Sequence, residues 1–500
     1  MKKYFIQTFW CSMNQADSEK INMILLQSWF FKVANWRQAD LVILNTCSVR
    51  QKGEDRVFWF AEEIKKYNTE NNKNILLGIT GCMTRKSGLN NKYLEDYKRD
   101  KNKAKQIVTA KSENEILNND DKLFPRFWEK LDFTLRIEDI KYLPLQLTHI
   151  FGEAIGQDYK FDDYLKQKQH RENPSQAIII IQSGCDNMCS YCIVPQTRWR
   201  ENSRTIEDIV SEANRVVSEW AKEITLVGQN VNSYWKEFID KKFWNKEKAK
   251  WSSPQSSPKG EEAISFKTPF RKLLEELDKI EWLDRIRFTS SNPHDMTQDI
   301  LDAHFDLKKT CNYLHFALQS WNDKMLKQMN RRHSYEDFKK MVNYLRSRDP
   351  NFSISTDIIV GYSNETEDMF NDTIKAYADC NFDFVFNARY SVRKGTIAEK
   401  IYPDNISEET KASRWHKLND LLLESLTKRN NMMVWKIEEV LISWEKDWKF
   451  FGRTRNFKEV YFSPHLTSPK GEESKEIKIW DIVKVKILWL DKYILNWEIV

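Results

Sequence analysis

Three cysteines, Cys185, Cys189 and Cys192, lie within eight residues of the stretch IIIIQSGCDNMCSYCIVPQTRWRENSR. Three thiolates at this spacing can face one iron–sulfur cubane and leave its fourth iron open to a chelating cofactor, whereas a cluster used only for electron transfer more often has four cysteines. Zinc is the competing interpretation, but zinc generally takes four protein ligands, or three and a water, with pairs closer to C-x-x-C spacing. Tyr191, between the last two thiols, is typical of a covered, partly dry site. The spacing therefore favours an iron–sulfur cluster.

A second set of cysteines is spread over the first hundred residues. Cys11, Cys47 and Cys82 follow the short apolar runs KYFIQTF, DLVILNT and NILLGITG. Because the carboxyl ends of parallel strands meet at one edge of an open sheet, we expect the three thiols to converge. Three unrelated core cysteines are the alternative. Cys311 and Cys380 lie in apolar surroundings and are interpreted as buried small side chains.

The runs around these cysteines predict three folded regions. Strands and amphipathic helices alternate up to about residue 135, which predicts an α/β domain with an open parallel sheet. Six strand-like runs with helical spacers predict a partial (β/α)6 barrel with its site at the carboxyl ends of the strands. The six runs are AIIIIQS, EITLVGQ, RIRFTSS, YLHFALQS, FSISTDIIVG and FDFVFNARYS. The last region alternates strands without helices, which predicts a small antiparallel β-barrel.

The expected organisation is α/β with five segments. They are an N-terminal domain over 1–135, a linker or insertion over 136–170, the barrel domain over 171–405 with an insertion near 236–265, a connecting helix over 406–431, and the C-terminal barrel over 432–500.

The composition narrows the class of protein. A chain of 500 residues is too long for one core, and a net charge of +6 permits a polyanionic partner without requiring one. Eight cysteines in a chain with no signal peptide argue against a disulfide framework. No apolar run is long enough to span a bilayer. We therefore expect a cytoplasmic protein.

Basic residues alternate with aromatic residues in the predicted C-terminal barrel. Such a pattern can follow a phosphate backbone, with bases stacking on the aromatic rings. An ordinary basic barrel surface is the alternative. The candidate RNA-binding residues are Arg453, Arg455, Lys458, Lys484, Lys486 and Lys492.

The cysteine spacing, with an aromatic before the third cysteine, resembles the radical S-adenosylmethionine signature. The wider pattern resembles the methylthiotransferases over nearly the full chain, and the C-terminal barrel resembles the RNA-binding TRAM domain that ends such proteins. The motifs that carry the resemblance are TFWCSMNQADS, ADLVILNTCSVRQKGEDRVF, GITGCMTRKSG, SGCDNMCSYCIVPQTRWRENSR, EITLVGQNVNSY, RIRFTSSNPHD, LHFALQSWNDKMLKQMNRRHSYEDF and TDIIVGYSNETEDMF. Within the family, NTCSVRQK and QMNRRHSYEDF most resemble the tRNA enzyme that acts on isopentenylated adenosine beside the anticodon.

The resemblance implies two [4Fe-4S] clusters. Cys185, Cys189 and Cys192 would hold the cluster that binds S-adenosylmethionine and cleaves it to a deoxyadenosyl radical. The other three cysteines would hold the cluster from which methylthio is transferred. The radical would abstract hydrogen from carbon 2 of the adenine, which protein side chains cannot do.

The resemblance also implies cofactor contacts and partners. The candidates for S-adenosylmethionine contacts lie beside the thiols or just past strand ends. They are Tyr191, Gly228, Gln229, Asn230, Ser290 and Gln319. For most of them, the alternative is an ordinary polar residue at a strand end. The implied partners are tRNA and an electron donor such as flavodoxin or ferredoxin, with the enzyme a monomer. The alternative targets are threonylcarbamoylated adenosine in tRNA and an aspartate of a ribosomal protein. A non-catalytic iron–sulfur RNA-binding protein is the alternative from another class.

Tryptophan is in excess where glycine is short. The chain has 19 Trp and 13 Gly, against about 35 Gly for an average chain of this length. Several tryptophans stand where the resemblance leads us to expect glycine: Trp10, Trp199, Trp220, Trp235, Trp282, Trp321, Trp435 and Trp480. Trp448, Trp489 and Trp497 lie in segments that look like turns. We hypothesise that the gene reads UGA as glycine; a genuinely Trp-rich variant is the alternative.

Overall fold

The computed structural model describes residues 1–9, 11–47, 51–84, 88–89, 131–155, 163–235, 267–446, 449–462, 478–491 and 494–499. The insertion expected near 236–265 and the residues Trp10, Trp448 and Lys492 lie outside this part of the chain. Within it, no helix is both long enough and apolar enough to cross a membrane.

The helices and strands are numbered here in chain order over the described residues. The α-helices are α1 Ser12–Gln27, α2 Gln51–Asn71, α3 Leu143–Phe151, α4 Val194–Thr197, α5 Ile206–Ser218, α6 Pro269–Asp278, α7 Gln298–Asp306, α8 Asp323–Gln328, α9 Tyr335–Arg348, α10 Glu367–Cys380, α11 Ile397–Ile401 and α12 Glu408–Asn431. The strands are β1 Lys3–Thr8, β2 Phe31–Lys32, β3 Leu41–Thr46, β4 Leu76–Gly81, β5 Gly88–Leu89, β6 Phe133–Thr134, β7 Gln176–Ile180, β8 Gln182–Ser183, β9 Asn202–Ser203, β10 Glu223–Val227, β11 Arg285–Phe288, β12 Tyr313–His315, β13 Ser353–Val360, β14 Phe384–Arg389, β15 Ile437–Lys446, β16 Lys449–Thr454, β17 Glu459–Phe462, β18 Ile482–Asp491 and β19 Ile494–Ile499.

The chain forms two compact units. Unit 1 comprises Met1–Glu172, Ser183–Glu201 and Arg393–Lys400, and unit 2 comprises Asn173–Gln182, Asn202–Val392 and Ile401–Val500. This grouping differs from the expected segments in one respect that matters for function. The loop with Cys185, Cys189 and Cys192 belongs to unit 1, together with Cys11, Cys47 and Cys82.

Unit 1 is built on one sheet with the strand order β2-β1-β3-β4-β6-β5. All neighbours pair in parallel except β5 and β6, which are antiparallel. The expected parallel α/β architecture is confirmed, with an antiparallel edge strand that the sequence did not predict. The central strands β3 and β4 are buried along their whole length, in keeping with their mainly apolar sequences LVILNT and LLGITG.

The expected linker over 136–170 is folded where the structure describes it. Residues Ile137–Tyr142 and Tyr164–Lys166 form 3-10 helices, and α3 lies between them. This segment is part of unit 1, and its buried side chains include Ile140, Leu147 and Tyr164. The sequence on either side is rich in charged residues, and this composition is the reason that a linker or insertion was expected.

Unit 2 contains six parallel strands at the positions of the six predicted runs. They form two three-stranded sheets, β11-β10-β7 and β12-β13-β14. Two isolated parallel bridges link the end of the first sheet to the start of the second. They pair Ile286 with Thr310 and Ser291 with Phe316. The apolar faces of these strands and of the surrounding helices share one core.

Five strands at the C-terminal end of unit 2 close into a barrel in the order β15-β16-β17-β19-β18. Four of its strand pairs are antiparallel, as expected, but β17 and β19 pair in parallel. Its small core includes Val440, Val460 and Ile487. Trp489 and Trp497 lie inside β18 and β19, so the turns expected there are wrong.

Tryptophan occupies left-handed backbone conformations repeatedly. Seven tryptophans have positive φ, between 58° and 96°: Trp29, Trp199, Trp220, Trp235, Trp282, Trp435 and Trp480. Six of these are positions where the resemblance led us to expect glycine. Trp321 differs from them, because it is buried in the core of unit 2 and is not among the residues with positive φ.

Candidate functional site

Cys11, Cys47 and Cys82 each lie just past the carboxyl end of a parallel strand of unit 1, β1, β3 and β4 respectively. The Cys82 backbone N–H donates to the Thr46 carbonyl at 2.9 Å, which joins the β3 and β4 loops. Cys11 precedes α1, and its thiol accepts a hydrogen bond from the backbone of Asn14 at 3.3 Å. The expected convergence of strand ends therefore brings the three thiols to one edge of the sheet.

Two side chains that the sequence analysis did not select hold these loops together. Asn14 donates through Nδ2 to the carbonyls of Phe9 at 2.8 Å and Thr46 at 2.9 Å. Thr46 donates through Oγ1 to the Thr80 carbonyl at 2.6 Å and accepts from the Met83 backbone at 3.0 Å. A signal was present for Asn14, because it stands three residues after Cys11 on the first turn of α1.

Cys47 and Cys82 of this group are buried, and Cys11 is half-buried. A hydrogen bond with Cys47 and then burial raise the pKa of the Cys11 thiol. Burial also raises the pKa of the Cys82 thiol, and the positive charge of Arg198 opposes that rise. Buried thiolates at Cys47 and Cys82 need a positive partner to be stable, since an unpaired buried charge is costly. A cationic iron–sulfur core is such a partner.

The second group occupies one loop of unit 1. The Cys192 backbone N–H donates to the Cys189 carbonyl at 3.0 Å, and that of Cys185 donates to the Trp199 carbonyl at 3.1 Å. Burial raises the pKa of the Cys185 thiol, and charge on Cys192 and Cys189 raises it further. The three sulfur atoms are therefore near enough to interact electrostatically. Tyr191 lies half-buried in the same loop.

The loop is closed tightly at its start by Gly184, which has φ +84°. A Cβ placed there would lie 2.0 Å from the Arg200 carbonyl oxygen and 2.7 Å from that of Trp199. No other residue could occupy the position without moving the backbone. This close approach sets where the chain enters the loop.

Neither group is arranged around a single ion. Among the described residues, no three His, Cys, Asp or Glu side chains are placed to hold one metal ion together. The thiolates of a cubane each bind a different iron and so need not converge on one point. Two sets of three soft thiolates fit iron–sulfur clusters better than hard cations, which take oxygen ligands. The donor set therefore fits the implied clusters.

Unit 2 has buried polar atoms at the carboxyl ends of its strands. Asn230 donates through Nδ2 to Asp295 at 2.8 Å, yet no described residue donates to its buried Oδ1. The buried Oε1 atoms of Gln182 and Gln319 and the Oγ of Ser291 also have no partner among the described residues. These four atoms are hydrogen-bonding groups that a polar ligand at the strand ends could use. Gln182 and Ser291 were missed by the sequence analysis, although both stand in motifs it used.

The other cofactor candidates differ in character. Gly228 has no room for a side chain, because a Cβ there would lie 2.9 Å from the side chain of Gln182. Ser290 and Gln319 both have left-handed backbones, with φ 67° and 76°. Gln229 is half-buried. Strain of this kind in non-glycine residues concentrates at ligand sites.

The basic candidates of the C-terminal barrel fall into two groups. Lys458 is buried and its ammonium pairs with Asp383 at 2.7 Å. Arg455 donates to the Lys308 carbonyl at 2.6 Å, within unit 2. These two side chains are committed to the fold, which removes them from a candidate RNA surface.

The other three basic candidates remain accessible. Arg453 is partly exposed and pairs with Glu459 at 2.9 Å. Lys484 is exposed and Lys486 is half-buried, both on β18.

Comparison with known proteins identifies the family. Residues 3–105 match the model of the uncharacterized protein family UPF0004, and residues 179–377 match that of the radical SAM superfamily. The chain is 34% identical to a tRNA-2-methylthio-N(6)-dimethylallyladenosine synthase of Clostridium novyi (strain NT), over 100% of this chain and 97% of that one. It is 33% identical to the enzyme of the same name from Clostridium beijerinckii (strain ATCC 51743 / NCIMB 8052), over 100% of this chain and 96% of the relative.

Among solved structures, the radical S-adenosylmethionine methyltransferase TsrM from Kitasatospora setae aligns with a TM-score of 0.47 at 10% identity, over 79% of this chain and 73% of that chain. The sequence relatives, which match over the full length, carry the assignment. The chain belongs to the radical SAM superfamily and, within it, to the family of tRNA-2-methylthio-N(6)-dimethylallyladenosine synthases.

Proposed function

We propose that this chain transfers a methylthio group to carbon 2 of N6-isopentenyladenosine beside the anticodon of tRNA. The observation that carries the proposal is the presence of two separate groups of three cysteines in unit 1, in a chain whose full-length relatives bear the name of that enzyme. A single group would supply a radical but no second cluster for sulfur transfer. The protein is a radical SAM enzyme with S-adenosylmethionine and [4Fe-4S] clusters as cofactors.

The proposed ligands divide the chemistry between the two groups. Cys185, Cys189 and Cys192 hold one cluster, and Cys11, Cys47 and Cys82 hold the other. When bound, these groups supply the electron that splits S-adenosylmethionine into methionine and a deoxyadenosyl radical, and the sulfur that is transferred. The chain itself excludes water from the first group, Cys11, Cys47 and Cys82, because Cys47 and Cys82 are only 4% and 7% exposed.

The cofactor is oriented in this proposal by the strand-end residues of unit 2. The unpartnered oxygens of Gln182, Asn230 and Gln319 accept hydrogen bonds from a polar ligand, and the side chain of Ser291 can donate or accept. Gly228, Gln229 and Ser290 of unit 2 complete this set, and Tyr191 is the candidate contact on the loop of the second group. Buried acceptors discriminate strongly against ligands that leave them unpaired.

The partners follow from the substrate. The TRAM-like barrel binds tRNA through the accessible residues Arg453, Lys484 and Lys486. A flavodoxin or ferredoxin supplies electrons, and the monomeric enzyme works in the cytoplasm, where tRNA is modified. Threonylcarbamoylated adenosine and a ribosomal aspartate are not favoured as targets, because the full-length relatives named above are called dimethylallyladenosine synthases.

The proposal is tested by nucleoside mass spectrometry on tRNA from a host without its own methylthiotransferase. The host expresses this chain with glycine at the 19 Trp positions, and cells and protein are handled without oxygen. We expect methylthio-isopentenyladenosine to appear. A Cys47→Ala variant is the control: it should still release deoxyadenosine from S-adenosylmethionine but leave the isopentenyl nucleoside unmodified. Assembled clusters and cofactor cleavage without the methylthio nucleoside would overturn the substrate assignment.

A further inference from the structure

A buried cation lies behind the first group of cysteines. Arg198 is 3% exposed and directly follows α4 in unit 1. Its guanidinium donates to the Asp17 carboxylate at 2.5 Å, and its Nη atoms lie 3.3 Å from the Tyr164 hydroxyl and the Asn14 amide oxygen. A fully buried arginine is stable only when its donors are paired in this way. The functional site described above leaves this group without a role.

The same guanidinium is joined to the cysteine loops through Asn14. It donates to the Asn14 amide oxygen at 3.3 Å, and the Asn14 backbone N–H donates to the Cys11 thiol at 3.3 Å. The charge of Arg198 also lowers the pKa of the Cys82 thiol against the effect of burial. The planar guanidinium has five donors in a fixed fork, so it can serve Asp17 and Asn14 together, which a lysine could not do in one geometry.

The neighbours of Arg198 fix its position. Asp17 is fully buried on α1 and accepts from both Arg198 and the Tyr164 hydroxyl, the latter at 2.6 Å. Asn14, one turn earlier on α1, also holds the loops before Cys11 and Cys47. The network therefore ties the cation to all three cysteine loops of the first group.

Arg198 lies in the same segment of the chain as the second group of cysteines. Arg198 is six residues after Cys192, and both lie in the stretch Ser183–Glu201 of unit 1. One short stretch of chain thus supplies three thiols to one site and a buried positive charge to the other.

We propose that Arg198 is a positioning residue that fixes the loops of the first group through Asn14 and raises the reduction potential of the cluster held by Cys11, Cys47 and Cys82. The inference deepens the proposed function and rests on that cluster site. Positive charge and hydrogen bonds at a cluster sulfur stabilise the more negative, reduced state. Asp17 offsets part of this charge, and so the two residues have opposite effects on the potential.

The test is an EPR-monitored redox titration of the full-length chain with Cys185, Cys189 and Cys192 changed to alanine, so that only the first cluster is present. Iron content is measured beside it. Arg198→Gln should shift the midpoint to a lower potential, and Asp17→Asn should shift it to a higher one. Arg198→Lys, which keeps the charge but not the fork, should lie between Arg198→Gln and the parent. Arg200→Gln is the matched control, since the Arg200 side chain is 76% exposed, and it should not move the midpoint.

Opposite shifts separate a direct effect from damage to the fold, which would move both variants in the same direction. Shifts of the same sign, or unchanged midpoints at full iron content, would overturn the proposal. If Arg198→Gln binds no cluster, Asp17→Asn decides: a raised midpoint supports the proposal and an unchanged one rejects it. A parent chain that binds no cluster at all contradicts the proposed function itself.

Discussion

At the residue scale, the tryptophans with left-handed backbones conflict with side-chain sterics. Non-glycine residues in this region are uncommon, and for bulky ones they are outliers that cost about 1–3 kcal/mol each. Glycine has no such cost. The structure therefore gives a conformational reason, independent of composition, for the hypothesis that UGA encodes glycine here. The mass of a peptide from native protein that spans Gln196–Arg200 tests it directly, since tryptophan mass at residue 199 would reject it.

Replacing exposed left-handed tryptophans with glycine should stabilise the chain. Trp220 and Trp282 have φ 75° and 65° and are 70% and 76% exposed, so little burial is lost. Each substitution should raise the free energy of unfolding in chemical denaturation by about 1 kcal/mol, because relief of strain exceeds the added entropy of the unfolded glycine. The control Phe316→Ala removes a fully buried ring and should lower it by about 3–5 kcal/mol. Destabilisation by Trp220→Gly and Trp282→Gly would show that these backbones are not strained.

The six cysteines could be selected from sequence because short spacing and strand-end positions are visible in a linear chain. Arg198 and Asp17 could not be paired in this way. They are 181 residues apart and meet only through folding. Nothing local in the sequence shows that the Arg198 side chain is buried. Long-range polar networks are the part of the site that needs a structure.

At the element scale, two arginines of β11 attach the C-terminal barrel to the parallel sheet inside unit 2. Arg287 donates to the carbonyls of Thr454 and Arg455 at 2.7 Å and to Glu223 at 2.9 Å. Arg285 donates to the carbonyls of Arg453 and Glu439. The turn after β16 is thereby held against the sheet.

The variant Arg287→Met should loosen this attachment. It leaves Glu223 buried without its cation and two carbonyls without donors, which costs about 3–5 kcal/mol. We expect amide hydrogen exchange in β16 and β18 to become faster. Arg389→Met removes an arginine whose side chain is 41% exposed and should leave those rates unchanged. Equal protection in both variants would mean that the barrel is held by other contacts.

Elements with strong patterns were predicted, and short ones were not. The six strands of unit 2 each carry an apolar run bounded by polar residues. A run of this length and pattern can be recognised as a strand from the sequence. β5 and β6 have two residues each, too few for any period. The segment containing α3 was interpreted as a linker because charge-rich stretches surround it. Because of this local composition, the residues of the segment that pack into unit 1 were not predicted.

At the scale of the whole molecule, a buried histidine makes stability depend on pH. His304 lies against the rings of Phe288 and Phe352, its Nδ1 is 2.7 Å from the Cys311 carbonyl, and burial lowers its pKa to about 4. The unfolded chain takes up this proton below about pH 6.5, whereas the folded chain does so only near pH 4. Stability from this group is therefore present above pH 6.5 and is lost as the pH falls towards 4.

Denaturation at several pH values measures this contribution. Between pH 7 and pH 4.5 the free energy of unfolding should fall by about 2–3 kcal/mol more in the parent than in His304→Asn, which cannot titrate. His416→Asn, at an exposed position on α12, should keep the slope of the parent. Parallel curves for parent and His304→Asn would show that His304 does not stay neutral in the fold.

The proposed tRNA complex involves more than one element of the chain. The electrostatic contribution to its affinity can be measured from the dependence of binding on salt concentration. Lys484 and Lys486 stand two residues apart on β18, so their side chains project from the same face of the strand. Each phosphate contact releases condensed counterions, which makes the logarithm of affinity fall with the logarithm of salt concentration by about 0.7–0.9 per contact. Neutral side chains at both positions should therefore make the slope shallower by about 1.4–1.8 as well as weaken binding.

Filter binding of unmodified tRNA to a Lys484→Gln, Lys486→Gln double variant at several salt concentrations measures this slope. Lys66→Gln on α2, whose side chain is 74% exposed, removes a lysine outside the barrel and should leave the slope unchanged. Weaker binding with an unchanged slope would mean that the two lysines stabilise the barrel without touching phosphate. An equal change in the Lys66→Gln control would mean that net charge, and not the β18 face, attracts the RNA.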